Sequence, residues 1–264
     1  MLYEGVLNKM QTEWNHPISY YLVLKNSFIN INQILDRNIT IEFKGYECLS
    51  CHQPKKIFRQ GFCYDCFMSN PAVGDWIMRP ELSTAHLGIE DRDLEYESKV
   101  QLQPHIVYLA VASDVKVGVT RKTQVPTRWI DQGASKAIEI VEVPNRYLAG
   151  ITEVALKDMF TDKTNWRKML QNDIADVKVT EIRNELKAKL PTEVQPYFDT
   201  TNSELIKLEY PVLQYPTKIK SLNLEKTPFY EGVLKGVKGQ YLLFEDGTVF
   251  NVRTYEGYVV NLTV

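Results

Sequence analysis

IVYLAVASDVKVGVT, residues Ile106 to Thr120, reads as two β-strands joined at Ser113 and Asp114, and it marks the middle of the chain as sheet rather than helix. Ile106 to Ala112 and Val115 to Thr120 are rich in β-branched residues, and the polar pair between them suits a hairpin. Further elements follow in alternation. Residues 126–134 (PTRWIDQGA) predict a short helix with Pro126 near its start and Gly133 near its end, and AIEIVEV, Ala137 to Val143, predicts a third strand. Asn145 then suits the cap of a helix from Arg146 to about Phe160, with Tyr147, Leu148, Ile151, Val154, Ala155 and Met159 as its core face. Another amphipathic helix is expected from about Thr180 to Leu190, and Pro191, Pro196, Pro211 and Pro216 punctuate the chain beyond it.

Outward from this block, the two chain ends resemble each other. YEGVL occurs at Tyr3 to Leu7 and again at Tyr230 to Leu234. The first copy is followed by YYLVL (Tyr20 to Leu24) and FINI (Phe28 to Ile31), the second by QYLLF (Gln240 to Phe244) and VFNV (Val249 to Val252), with EDG at Glu245 to Gly247 as a hairpin turn. Neither copy alone has enough strands to bury a core. The expectation is that the chain ends meet in one small antiparallel sheet or barrel.

All four cysteines lie in CLSCHQPKKIFRQGFCYDC, as two Cys-x-x-Cys pairs, Cys48 with Cys51 and Cys63 with Cys66, 11 residues apart. Two residues between thiolates let one turn aim both at a single ion, and two such turns make the closed tetrahedral shell that structural zinc accepts. Gly61 suits a turn beside the second pair. Free thiols, two disulfides or an iron-sulfur cluster are the alternatives, and His52 reads as an exposed loop histidine with a substitute ligand as its alternative. Lys55, Lys56 and Arg59, on the loop between the pairs, are candidate phosphate contacts or a solvated charged loop.

The 264 residues, 44% hydrophobic and 24% charged, can bury a substantial core. No run approaches the ~18 apolar residues of a membrane span, and the start MLYEGVLNKMQTEW has no signal-like apolar region, so a cytoplasmic location is expected. With 31 Lys and Arg against 33 Asp and Glu, total charge neither supports nor excludes a nucleic-acid partner. Residues 71–104 are polar and poorly periodic, and read as irregular connecting structure.

The order of elements within Ile106 to Asn165 resembles the GIY-YIG nuclease domain. IVY (Ile106 to Tyr108) stands where that family has its first motif, and KVG (Lys116 to Gly118) with Thr120 where it has its second. Arg128 falls at the family's helix arginine, Glu153 at its metal-binding glutamate, and EVALKDMFTDKTN spans its interval from glutamate to Asn165. Lys116 replaces the usual tyrosine, as in branches reading K-I-G, and Gln132 stands where a histidine is often found. With its preceding cysteine segment, the arrangement is also similar to an uncharacterised bacterial family whose domain has no assigned function.

The resemblance implies divalent-metal-dependent phosphodiester cleavage. Glu153 would hold Mg²⁺ or Mn²⁺, Tyr108 would orient or deprotonate the attacking water, and Arg128 would face the transition-state charge, with Lys116 beside the phosphate. Gly118 would admit the substrate backbone, Asn165 would fix the loop or touch a phosphate, and Arg121 and Lys122 would contact nucleic acid. On the residues alone, Tyr108 equally suits a core aromatic, Arg128 beside Trp129 surface packing, and Glu153 with Lys157 a solvated helix pair.

The expected fold is α+β. It combines a GIY-YIG-like three-stranded antiparallel sheet with helices (105–175), a zinc ribbon and connecting segment (46–104), a terminal β-unit (1–45 with 215–264) and a helical return linker (176–214). The expected function is binding of DNA or RNA with metal-dependent endonuclease chemistry. The alternative is a non-catalytic zinc-ribbon module that binds nucleic acid or protein on a decayed nuclease scaffold.

Overall fold

The computed structural model describes residues 1–24, 27–160, 165–199 and 204–264. The chain runs through β1 (Leu2–Val6), β2 (Gln11–Glu13), β3 (Ser19–Leu24), β4 (Ser27–Asn30) and β5 (Asn38–Tyr46) to the cysteine segment. There follow α1 (Tyr64–Ser69), a series of 3-10 turns, and α2 (Leu94–Gln101). The middle holds β6 (His105–Val111), β7 (Val115–Arg121), α3 (Thr127–Asp131), β8 (Lys136–Val143), α4 (Arg146–Leu156), α5 (Trp166–Leu170) and α6 (Val179–Glu185). It ends with β9 (Ile206–Lys207), β10 (Lys220–Ser221), β11 (Phe229–Lys238), β12 (Tyr241–Phe244), β13 (Thr248–Asn251) and β14 (Tyr258–Thr263). The protein is α+β.

The two YEGVL strands occupy equivalent places in a seven-stranded sheet of order β1-β14-β5-β11-β12-β13-β10. β5 and β14 pair antiparallel at the centre of this exchange, and each receives the YEGVL strand of the other copy. Thus Tyr3 opposes Leu262 and Gly5 opposes Val260, while Tyr230 opposes Ile41 and Gly232 opposes Ile39. Each copy also has a hairpin, β3 with β4 or β12 with β13, followed by a 3-10 turn capped by an asparagine side chain, Asn30 or Asn251. Asparagine suits both places because its short amide reaches the next free backbone N–H. β2, β3 and β4 form a separate three-stranded sheet.

The middle sheet has the order β7-β6-β8-β9. It has one strand more than the three expected, because the two-residue β9 from the return segment pairs with Lys136 and Ala137 at the edge of β8. Every residue of β6 is buried, since side chains of opposite parity pack into different clusters. Ile106, Tyr108 and Ala110 face Trp129 and the terminal sheets, whereas Val107, Leu109 and Val111 face α4 and α6.

Two expectations about α4 and the connecting segment change. Asn145 does cap α4, accepting from the Leu148 N–H at 2.9 Å, but the buried face is Ala149, Gly150, Thr152 and Leu156. Val154, Ala155 and Met159, expected inside, are all exposed. The helix turns Gly150 inward because the backbone at Pro80 and Glu81 lies against it, so close that an added Cβ would come within 2.2 Å of the Glu81 nitrogen. Within 71–104, expected to be irregular, α2 forms a regular helix. Its periodicity is weak, but Asp93 caps it and the buried Glu97 carboxylate accepts the backbone N–H groups of Asp91, Arg92 and Asp93.

Candidate functional site

The alternation of β6 and β7 places Tyr108, Lys116, Gly118 and Thr120 on one face of the sheet, with Tyr108 directly opposite Gly118. Glycine lets the phenol lie flat there, because a Cβ at Gly118 would come within 2.7 Å of the Tyr108 hydroxyl and displace it. That phenol is wholly buried, packs edge-on against Trp129 at 5.7 Å and donates to Gln132 Oε1 at 3.0 Å. Burial pushes it above the usual tyrosine range, while Arg128 works in the other direction. Arg128 comes from α3 and faces the phenol oxygen.

Glu153, on α4 against the other face of the sheet, lines a cleft with Val117 and acts electrostatically on Tyr108 and Lys116. Burial raises its carboxyl to about 7, with Glu81 adding to the rise and Arg146, Arg128 and Lys116 opposing it. Lys116 is brought down to about 8 by burial and by Arg128, with Glu153 pulling it back up. Tyr108, Lys116, Arg128 and Glu153 therefore lie within one another's electrostatic reach, on four separate elements. Glu153 opens onto a cleft of about 310 Å³ that it shares with Met78, Arg79, Pro80, Glu81 and Lys157.

Next to it lies a second cleft, of about 350 Å³, in which Arg121, Arg128, Arg146 and Arg253 all take part. Met78 borders both clefts. Arg146, in the first turn of α4, fastens the intervening segment: its Nε and one terminal nitrogen donate to the carbonyls of Trp76 and Ile77 at 3.0 and 2.8 Å, and its guanidinium lies 5.5 Å over the Trp76 ring. Burial lowers Arg146 to about 10, Arg121 and Arg128 add to the fall, and Glu153 resists it. His105, buried at the start of β6, is pushed down to about 4 by burial with help from Arg146 and Arg121.

The other expected nucleic-acid contacts are engaged within the protein. Lys55 pairs with Asp65 at 2.9 Å, Lys56 with Glu225 at 3.8 Å and Lys122 with Glu142 at 2.8 Å, while Arg59 lies 5.4 Å over the Phe58 ring. Asn165 caps α5 by accepting from the Lys168 N–H, and its own N–H donates to Ser113 Oγ. Of that group, Arg121 alone lines the arginine cleft. Arg146 and Arg253 were not singled out from sequence. Arg146 carried one signal, since a cation in the first turn of a helix opposes the macrodipole and needs another reason to be there. Arg253 gave none, because only the tertiary fold brings it near β7.

Cys48, Cys51, Cys63 and Cys66 form one cluster, with all four sulfurs within 4.8 Å of one another, and they could hold a metal ion. The Cys51 and Cys63 sulfurs are 4.0 Å apart, and the Cys63 N–H donates to Cys48 Sγ at 3.3 Å. Burial works to raise the Cys48 thiol, but backbone N–H groups outweigh it and bring it to about 6; burial and neighbouring thiols push Cys66 up to about 12. The segment is positioned by Gly61 in the left-handed region, by the Leu49 N–H bonded to the Gly61 carbonyl, and by Phe58 packed on Tyr64 and Phe67. His52 stands outside the cluster, 3.5 Å from Glu47.

Among the described residues, no helix is long and apolar enough to cross a membrane. Residues 36–260 match the family described as "Protein of unknown function (DUF2797)". No curated protein and no solved structure matches the chain.

Proposed function

We propose that this chain, which belongs to the DUF2797 family, binds nucleic acid and cleaves its phosphodiester backbone with the help of a divalent ion held by Glu153. The observation that carries the reading is that Glu153 lines a cleft adjoining the arginine-lined one and lies within electrostatic reach of Lys116, Arg128 and Tyr108. These are the residues that resemble the GIY-YIG centre, and they come from four elements, β6, β7, α3 and α4.

Glu153 fits a cation. Its raised carboxyl records an environment that penalises an uncompensated negative charge, and a hard dication would relieve that penalty through an oxygen ligand. Bound Mg²⁺ or Mn²⁺ would supply Lewis acidity at a phosphate oxygen. Arg128 would stabilise charge on the reacting phosphate, and Lys116 would anchor one of its oxygens. The Tyr108 hydroxyl would orient the attacking water once Gln132 releases it.

The cysteine cluster is read as a structural zinc site. Tetrahedral zinc with bonds near 2.3 Å places its sulfurs about 3.8 Å apart, close to the separation of Cys51 and Cys63. The closed four-sulfur shell leaves no position for substrate, so its role is to hold the 46–104 segment against the C-terminal turn, where the Glu47 N–H bonds to the Gly257 carbonyl.

A second reading, a binding protein without catalysis, is favoured by the complete burial of Tyr108. One experiment separates them: labelled single- and double-stranded DNA and RNA are incubated with the zinc-loaded protein and Mg²⁺ or Mn²⁺, beside Glu153→Ala. The cleavage reading expects products that fall in the variant by at least the about 10–100-fold typical of losing an outer-shell support of a bound metal. Binding without products selects the second reading. Products that persist undiminished in Glu153→Ala would sink the assignment of this centre.

A further inference from the structure

The cleft beside Glu153 is unusual in its charge. Four arginines line it, from β7, α3, α4 and the 3-10 turn before β14, and the remaining polar lining, which includes Gln60, Gln124, Tyr96 and Thr120, carries no carboxylate. The chain as a whole has a formal net charge of −2, so this is a local concentration and not an overflow of basic residues. None of the four arginines has a carboxylate within 4 Å among the described residues; Glu153 and Glu256 act on Arg146 and Arg253 from outside the cleft. Thr120 adds an independent sign: it is 3% exposed, lines the cleft, and its buried hydroxyl has no hydrogen-bond partner. Guanidinium groups gathered without a directly paired carboxylate, next to an unused hydroxyl, constitute a built site for an anion.

We infer that this cleft binds a phosphate monoester, specifically the terminal phosphate of a nucleic-acid strand. A volume of about 350 Å³ is of small-molecule size and receives a strand end, not the width of a duplex. A terminal phosphate carries about −1.5 to −2 charge at pH 7 and three free oxygens, against the single charge of an internal diester, and so matches several guanidiniums at once. Arg253 closes the site from the terminal sheet, which gives that sheet a direct part in recognition. Arg146 is largely committed to the Trp76 and Ile77 carbonyls, so Arg121 and Arg253 are the arginines free to grip the ligand, with Arg128 at the boundary with the Glu153 centre. The inference rests on the nucleic-acid reading above for the strand; the anion site itself does not.

The test is fluorescence anisotropy on the full-length, zinc-loaded protein without Mg²⁺ or Mn²⁺. Short single strands carrying a 5′-phosphate, a 3′-phosphate or hydroxyl ends are compared, together with adenosine monophosphate as competitor. Arg121→Ala, Arg253→Ala and, as a charge control on the exposed helical return segment, Lys189→Ala are run in parallel, with melting curves to confirm folding. One phosphorylated end is expected to bind about tenfold more tightly than hydroxyl ends, and each arginine variant is expected to erase that preference while Lys189→Ala keeps it. Equal binding of phosphorylated and hydroxyl-ended strands would overturn the inference and leave the nucleic-acid reading standing. Binding of adenosine monophosphate, lost in the two arginine variants, with no strand bound at all, would support the phosphate site and remove the nucleic-acid reading. Failure of both strands and adenosine monophosphate to bind would overturn the site itself.

Discussion

Replacing Gly150 by alanine tests how the connecting segment is held over the candidate centre, and the sign of the effect is diagnostic. In an exposed helix, glycine to alanine stabilises by roughly 0.5–1 kcal/mol, because alanine loses less backbone entropy on folding. At Gly150 the new methyl would meet backbone, 2.2 Å from the Glu81 nitrogen and 2.3 Å from the Pro80 carbonyl carbon. Backbone atoms in a 3-10 turn cannot rotate away as a side chain can, so either α4 or the Pro80–Leu82 turn must shift. Overpacking of this kind costs about 1–3 kcal/mol and exceeds the propensity gain. For a chain of this size, at about 2–4 °C per kcal/mol, a net loss of about 1–2 kcal/mol corresponds to a fall of roughly 2–8 °C in Tm. The displaced turn should also exchange its amides faster, notably Leu82 and Ser83, whose N–H groups bond to the Arg79 and Pro80 carbonyls. Thermal unfolding followed by hydrogen exchange reads both effects. A Gly150→Ala protein that melts higher than wild type, with Leu82 and Ser83 still protected, would refute the close packing of this segment on α4.

Other outcomes follow from the same reasoning. Cys66→Ser should lose the bound metal, and the cysteine segment should become protease-sensitive near Lys55 and Lys56 before the middle sheet unfolds; purified wild-type protein found free of zinc by elemental analysis would contradict this. His105 gives a pH dependence with a defined sign. Its folded-state value is lowered from 6.5 to about 4, so the unfolded chain takes up a proton first, and stability present above pH 6.5 is lost as pH falls toward 4, by up to about 3 kcal/mol. In His105→Gln that component should vanish from urea midpoints compared at pH 7 and 4.5, and an unchanged pH profile would exclude it. Gly118→Ala should push the Tyr108 hydroxyl off Gln132, seen as a change in near-ultraviolet circular dichroism at modest cost in Tm, because the colliding atom ends a side chain; an unaltered tyrosine signal would count against the packing described.

How much was legible in sequence depends on the range of the forces involved. The hairpin at Ile106 to Thr120 and the four-cysteine cluster were readable because strand propensity and ligand spacing act over a few residues. Asn145 was readable as a cap for the same reason. The inward face of α4 was not, because the choice between Val154 and Gly150 is made by Pro80 and Glu81, about seventy positions away in sequence. α2 was hidden because three backbone N–H groups on one buried Glu97 carboxylate, not an apolar stripe, hold its start. In the candidate site, the spacing of Tyr108, Arg128 and Glu153 pointed to residues that do meet, whereas Lys55, Lys56 and Lys122 read as free cations and sit against carboxylates. The arginine cleft needed the fold, since Arg121 and Arg253 come from opposite halves of the chain.

The most direct measurement is anomalous scattering from crystals of the wild-type protein grown with Mn²⁺ and a short single strand made non-cleavable by phosphorothioate linkages. The account predicts a manganese peak on the Glu153 carboxylate, a backbone phosphate between it and Arg128, and a strand phosphate in the cleft of Arg121 and Arg253. Manganese absent from Glu153 while the strand lies on another face of the protein would contradict it.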